Sequence, residues 1–199
     1  MQEPSRRERK QQESADHISR IAMALFAERG YVNITMEEIA RAADVAKGTL
    51  YSRFPVKEAI LSHFILAEMR DAAPALMAQL QTLPDCRTRL QRYFRHGAHF
   101  AQQYRDYLRP YLQYRFGQVF QADRQRSNMG QILTALLGEG MADGEIRRDI
   151  PLPQQVLALE MHYVGVLMAW LSLDGLDLAA LLDTMLTLFL DGAEVRDAA

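Results

Sequence analysis

The sequence predicts an all-α protein of about nine helices. No run alternates with period two, and helix-favouring Ala, Leu, Met, Gln, Arg and Glu abound throughout. Apolar residues recur at helical spacing in almost every segment. The 199 residues are 49% hydrophobic and 24% charged, the balance of an ordinary globular chain with ample material for a core. Cys86 is the single cysteine, which excludes an intramolecular disulfide framework and fits a reducing cytoplasm.

The elements follow in order. Four basic residues, Arg6, Arg7, Arg9 and Lys10, stand near the start with no apolar stretch behind them; they read as a polar arm and not a secretory signal. "SADHISRIAMALFAERG" then sets Ile18, Ile21, Ala22, Leu25 and Phe26 on one helical stripe, with Gly30 as its C-cap. "TMEE" matches a capping box, with Thr35 as N-cap and Glu38 reaching back to its amide. Ile39, Ala40 and Ala43 give that second helix a small apolar face. A tight turn near Asp44 leads to a third, short helix, and Pro55 is expected at the first turn of a fourth that buries Ile60, Leu61, Phe64 and Ile65. Longer helices are expected over 86–103, 105–119, 122–141, 152–173 and 176–192. Pro84, Pro110, Pro151 and Pro153, with Gly117, Gly140, Gly144 and Gly175, punctuate them.

Three short helices, the second and third joined by a tight turn, describe a helix-turn-helix unit, whose last helix lies in the DNA major groove. That arrangement accounts for "VAKGTLYSRF" at 45–54. Leu50 and Phe54, four apart, hold the short helix to the core, while Lys47, Thr49, Tyr51 and Ser52 are left to face DNA. Gly48 lacks a Cβ and permits close backbone approach. Net charge argues neither way: residues 1–60 hold ten Lys or Arg against nine Asp or Glu.

The run "GYVNITMEEIARAADVAKGTLYSRFPVKEAIL" resembles the DNA-binding domain of the tetracycline-repressor (TetR) family of bacterial regulators. Gly30-Tyr31, Thr35, Ile39-Ala40, Val45, Gly48 to Tyr51, Phe54, Lys57-Glu58 and Leu61 carry the resemblance, and "GMADGEIRRDI" is similar to the link before the family's last two helices. The resemblance implies a DNA-binding domain over 14–74 and a helical ligand-binding and dimerisation domain over 75–199. It implies that Thr35, Tyr51 and Lys57 touch phosphates, and that Ala46, Lys47, Gly48, Thr49 and Ser52 lie at or near the major groove. It implies a homodimeric cytoplasmic repressor that leaves a palindromic double-stranded operator when a small ligand binds. The family's usual Ala-Gly-Val-Ser turn is here Ala43-Asp44-Val45-Ala46, so Asp must hold the left-handed turn and the recognition helix lacks a capping side chain.

The second domain gives less. Val156, Leu159, Tyr163, Val164, Leu167, Met168 and Leu171 line one helix; Leu178, Leu181, Leu182, Met185, Leu186 and Phe189 line the next. From these stripes Val156, Leu159, Tyr163, Leu167, Leu171, Leu182, Met185 and Phe189 are expected at a two-fold interface, against the plainer reading that they are core. Between Arg87 and Arg126 nine arginines alternate with aromatics. One reading is an apolar pocket for a small hydrophobic ligand, drawn from Phe100, Tyr104, Tyr107, Arg109, Tyr111, Tyr114 and Met168, with arginine holding an anionic head group. The other is a solvated face whose acidic partners lie elsewhere. His96 and His99 lack the further ligands a metal needs. No cofactor, membrane partner or catalytic set is expected, and an activator or architectural DNA-binding protein without a ligand is the alternative to a repressor.

Overall fold

The computed structural model describes residues 5–118 and 129–191. Nine α-helices and no strand are present among them: α1 Arg6–Arg29, α2 Met36–Ala42, α3 Lys47–Arg53, α4 Lys57–Gln81, α5 Cys86–Gln103, α6 Arg105–Gly117, α7 Met129–Ala142, α8 Leu152–Ser172 and α9 Leu178–Asp191. The expected all-α class holds. The part of the expected 122–141 helix before Met129 lies outside the described residues, as do Phe120, Asp123, Arg124 and Arg126.

Two compact units divide the chain, one of residues 1–71 with 106–125, the other of 72–105 with 126–199. This differs from a division at residue 74 because α6 joins the first unit. The Tyr107 ring stands 6.4 Å from both Phe26 and Tyr31, and Leu108 and Tyr111 of α6 are buried.

In the first unit the helix ends follow local chemistry. Gly30, at φ 84, closes α1 as its amide donates to the Phe26 carbonyl at 2.9 Å. A single 3-10 turn, Tyr31–Asn33, precedes α2. Ile18, Ala22, Phe26, Ile34, Ile39, Leu50, Ile60 and Leu61 are fully or almost fully buried. His63 of α4 meets Asp16 of α1 at 2.7 Å, and buried Ser19 donates to the Asp16 carbonyl. Two expectations are corrected here. The basic residues from Arg6 onward are not a loose arm but the first turns of α1, where good helix formers run unbroken by Gly or Pro. Pro55 stands two residues before α4 rather than in its first turn, because Phe54 is extended and the Ala59 amide turns back to Val56.

In the second unit α5 packs against α7 and α9, and α8 against α7 and α9. Leu90, Phe94, Leu133, Leu136, Leu137, Leu159, Leu178, Leu182 and Leu186 form its buried apolar set. Asp85 caps α5 by accepting from the Thr88 amide at 2.7 Å. Pro110 lies inside α6 and Gly140 inside α7, within the expected spans 105–119 and 122–141. Gly140 is there for room: a Cβ would fall 2.8 Å from Cys86 Cβ, Cys86 Sγ and Ile146 Cγ1.

Candidate nucleic-acid interface

The interface is built on α2, the turn and α3. Thr35 caps α2 in full: its hydroxyl accepts from the Glu38 amide at 3.2 Å, while Glu38 Oε2 accepts from the Thr35 amide at 2.9 Å. The Thr35 amide and hydroxyl, with the Arg29 guanidinium at 2.7 Å, hold the Glu38 carboxyl down to about 2. Asp44 carries the turn at φ 53, the left-handed region that Asp tolerates better than most residues. The Val45 amide then donates to Ala40 at 3.0 Å and α3 begins. Ala46 is its N-cap in extended conformation, with no side-chain hydrogen bond, as the missing serine predicts.

Leu50 is buried completely and Phe54 almost so, and they anchor α3. The other face is open. Lys47, Gly48, Thr49, Tyr51 and Ser52 are exposed, and no atom lies within 4 Å of the space a Cβ on Gly48 would take. Gly48, Thr49, Ser52 and Arg53 line an open cleft of about 970 Å³ with Gln11, Gln12 and, from α6, Tyr114 and Arg115.

Glu37 organises this face, a role the sequence pattern did not disclose. Tyr51 donates its hydroxyl to Glu37 Oε1 at 3.2 Å, and Lys47 Nζ stands 3.7 Å from the same oxygen. The Glu37 carboxyl is lowered first by its own backbone amide, with help from Tyr51 and Lys47, so it stays an acceptor near neutral pH. A phosphate arriving at Tyr51 or Lys47 would replace a carboxylate already there. Lys57 is also engaged: its ammonium donates to the Tyr31 carbonyl at 2.9 Å and lies 4.7 Å from the Tyr31 ring centre. Tyr31 in turn donates to Glu58 at 2.7 Å, and burial beside that carboxylate raises its phenol further. The only spacing signal for Glu37 is its place just before the capping glutamate.

The expected ligand residues fall in two places. Phe100 and Tyr104 meet in the second unit with ring centres 4.7 Å apart, and Arg105 lies 4.7 Å over buried Trp170. Met168 of α8 is exposed. Tyr107, Arg109, Tyr111 and Tyr114 belong to the first unit, where Tyr107 packs on Phe26 and Tyr31. Arginines of α5 find acids from other helices: Arg89 meets Glu139 at 3.0 Å, Arg95 meets Asp183 at 3.1 Å and Arg87 pairs with Asp191. All three have acidic partners elsewhere in the chain, as the second reading expects, but only Arg87 and Arg95 lie on a solvated face and Arg89 is largely buried.

Of the residues expected at a dimer interface, Val156, Leu159, Tyr163, Leu167, Leu182 and Met185 are buried within the single chain, and Leu171 and Phe189 are half-buried. The six are core, closed to a partner. The outward apolar residues of α8 and α9 are instead Leu157, Met161, Met168 and Leu188, each about half exposed or more, with exposed Gly165 among them.

Comparison with known proteins agrees with this geometry. Residues 18–64, from α1 into α4, match the family described as bacterial regulatory proteins, tetR family. A protein of Mycobacterium tuberculosis named as a mycofactocin biosynthesis transcriptional regulator is 38% identical over 60 residues, a match spanning 30% of each chain. Over almost the full length the fold is similar to Thermus thermophilus FadR, a TetR-family transcriptional repressor solved with lauroyl-CoA: TM-score 0.78, 28% identity, 92% of this chain and 97% of that one. The fold is also shared with FadR of Bacillus subtilis, solved with stearoyl-CoA, at TM-score 0.58 and 22% identity over 89% of this chain and 98% of that one. The capped α2, the left-handed turn and the anchored α3 lie on the residues of the family match, so residues 18–64 form a DNA-binding segment of the tetR type in a chain whose fold is similar to that of TetR-family regulators.

Proposed function

We propose that the protein is a homodimeric transcriptional repressor that binds a palindromic operator in the cytoplasm and leaves it when an acyl-coenzyme A thioester binds. The observation that carries the DNA reading is the division of α3: Leu50 and Phe54 supply the packing, while Lys47, Gly48, Thr49, Tyr51 and Ser52 stay exposed, Lys47 and Tyr51 held at the surface by Glu37. Side chains of that kind on a short exposed helix suit base edges and phosphates of the major groove. Thr35, at the start of α2, and Lys57, at the start of α4, flank it as phosphate contacts, Lys57 by exchanging its hold on the Tyr31 carbonyl.

Two recognition helices at fixed separation require two copies. The exposed stripe of Leu157, Met161, Gly165 and Met168 on α8, with Leu188 on α9, is the surface that a second copy would cover, giving a four-helix contact. The ligand class is supported by the likeness to the lauroyl-CoA-bound repressor and, within the second unit, by the Phe100–Tyr104 ring pair and the Arg105 guanidinium over Trp170. An acyl chain needs apolar walls, and the nucleotide phosphates need cations. A ligand that favours a different spacing of the two α3 helices shifts the population away from DNA.

The test is to pass sheared genomic DNA of the source organism over the purified protein and sequence what is retained. One enriched palindrome is expected, released by lauroyl-CoA and not by lauric acid or free coenzyme A. Retention of salt-sensitive background alone would overturn the repressor reading. A palindrome that lauroyl-CoA leaves bound would overturn the ligand class.

A further inference from the structure

The first turns of α1 carry Arg6, Arg7 and Lys10, all exposed. With Gln11 and with Arg53, the last residue of α3, they line an open cleft of about 450 Å³. The Arg53 guanidinium donates to the Gln11 carbonyl and so fastens the end of the recognition helix to α1. Gln11 and Arg53 also line the larger cleft that holds Gly48, Thr49 and Ser52. The basic cleft and the open face of α3 are therefore one continuous surface.

Among the described residues the charge there is uncompensated: no carboxylate stands within salt-bridge distance of Arg6, Arg7, Lys10 or Arg53. Glu13 is exposed further along α1 and does not line the cleft. Arg6 and Lys10, one turn apart, repel each other, and cations in a first turn oppose the helix dipole. An anionic partner relieves both repulsions. The cleft is open rather than enclosed and continues from the recognition helix, so it suits a strand running past it better than a small free anion.

We infer that Arg6, Arg7, Lys10 and Arg53 bind backbone phosphates flanking the operator half-site, extending the DNA interface from α3 onto the start of α1. This rests on the DNA-binding reading above. Because the partner group is phosphate, the cleft adds affinity and salt dependence without adding sequence preference.

Anisotropy titrations of the intact chain, with the retained palindromic duplex and a scrambled duplex of equal length, test this between about 50 and 200 mM salt. The variant is R6Q/R7Q/K10Q, since Gln keeps helix propensity close to that of Lys and Arg. R9Q, outside the cleft, is the matched control, and circular dichroism checks the helix content of both. The slope of log affinity against log salt is expected to fall by about 0.9 for each phosphate no longer neutralised, or roughly 5 when three cations are removed from each of two protomers. Both duplexes should weaken by the same factor, and R9Q should keep the wild-type slope. An unchanged slope with palindrome binding intact would overturn the inference and leave the repressor reading standing. A changed base preference at the flanks would overturn the phosphate assignment in favour of groove reading. Absence of specific binding by the wild-type chain would overturn both.

Discussion

The two units put their side chains to opposite uses. In the α2–α3 region a few residues pack and the rest face solvent: Leu50 is fully buried while its neighbours Thr49 and Tyr51 are exposed. In the bundle of α5, α7, α8 and α9 most apolar residues turn inward, Leu157, Met161, Met168 and Leu188 excepted, and arginines of α5 are tied to acids on other helices. The same residue type shows the difference. Gly140 of α7 has no space for a methyl group, whereas Gly48 of α3 has open space where one would go. One glycine answers to packing and the other, as proposed, to DNA.

That contrast is sharpest at Gly140. Gly140→Ala should destabilise the fold by about 1–3 kcal/mol, the usual cost of overpacking a filled core, because its Cβ would sit 2.8 Å from Cys86 and Ile146 atoms. Thermal denaturation reads the effect; an unchanged melting temperature would mean that the α5–α7 contact yields easily. Ala46→Ser should act in the other direction. Ala46 already has the extended N-cap conformation, φ −62 and ψ 141, and lacks only the acceptor. Supplying it should stabilise α3 by about 0.5–2 kcal/mol. A lower melting temperature would show that the serine hydroxyl does not reach the α3 amides.

How far the sequence foretold these two regions follows from the range of the interactions involved. The Gly30 stop, the Thr35–Glu38 box, the left-handed Asp44 turn and the uncapped Ala46 are set by residues within a few positions of each other, and all four were legible. The first turns of α1 resemble a solvated arm because four closely spaced cations dominate a segment whose residues are also good helix formers. The expected spans 105–119 and 122–141 already held Pro110 and Gly140, but the reason for Gly140, its packing against Cys86 and Ile146, is tertiary and has no local signal. On α8 the helical period showed that there was an apolar stripe but not which edge was covered, so Leu159 and Tyr163 were assigned outward while Leu157 and Met161 are the exposed pair. The hold of Glu37 on Lys47 and Tyr51 spans two helices and left no signal in spacing.

Whether the open face of α3 is shaped for DNA and not for stability is decided by Gly48→Ala, measured two ways. With open space at the Cβ position and helical backbone around it, the substitution should stabilise the fold by about 0.5–1 kcal/mol. We expect this rise in melting temperature together with a loss of affinity for the palindromic operator, since the added methyl group occupies the surface that approaches DNA. A more stable protein that binds the operator as tightly as before would contradict the DNA reading of α3.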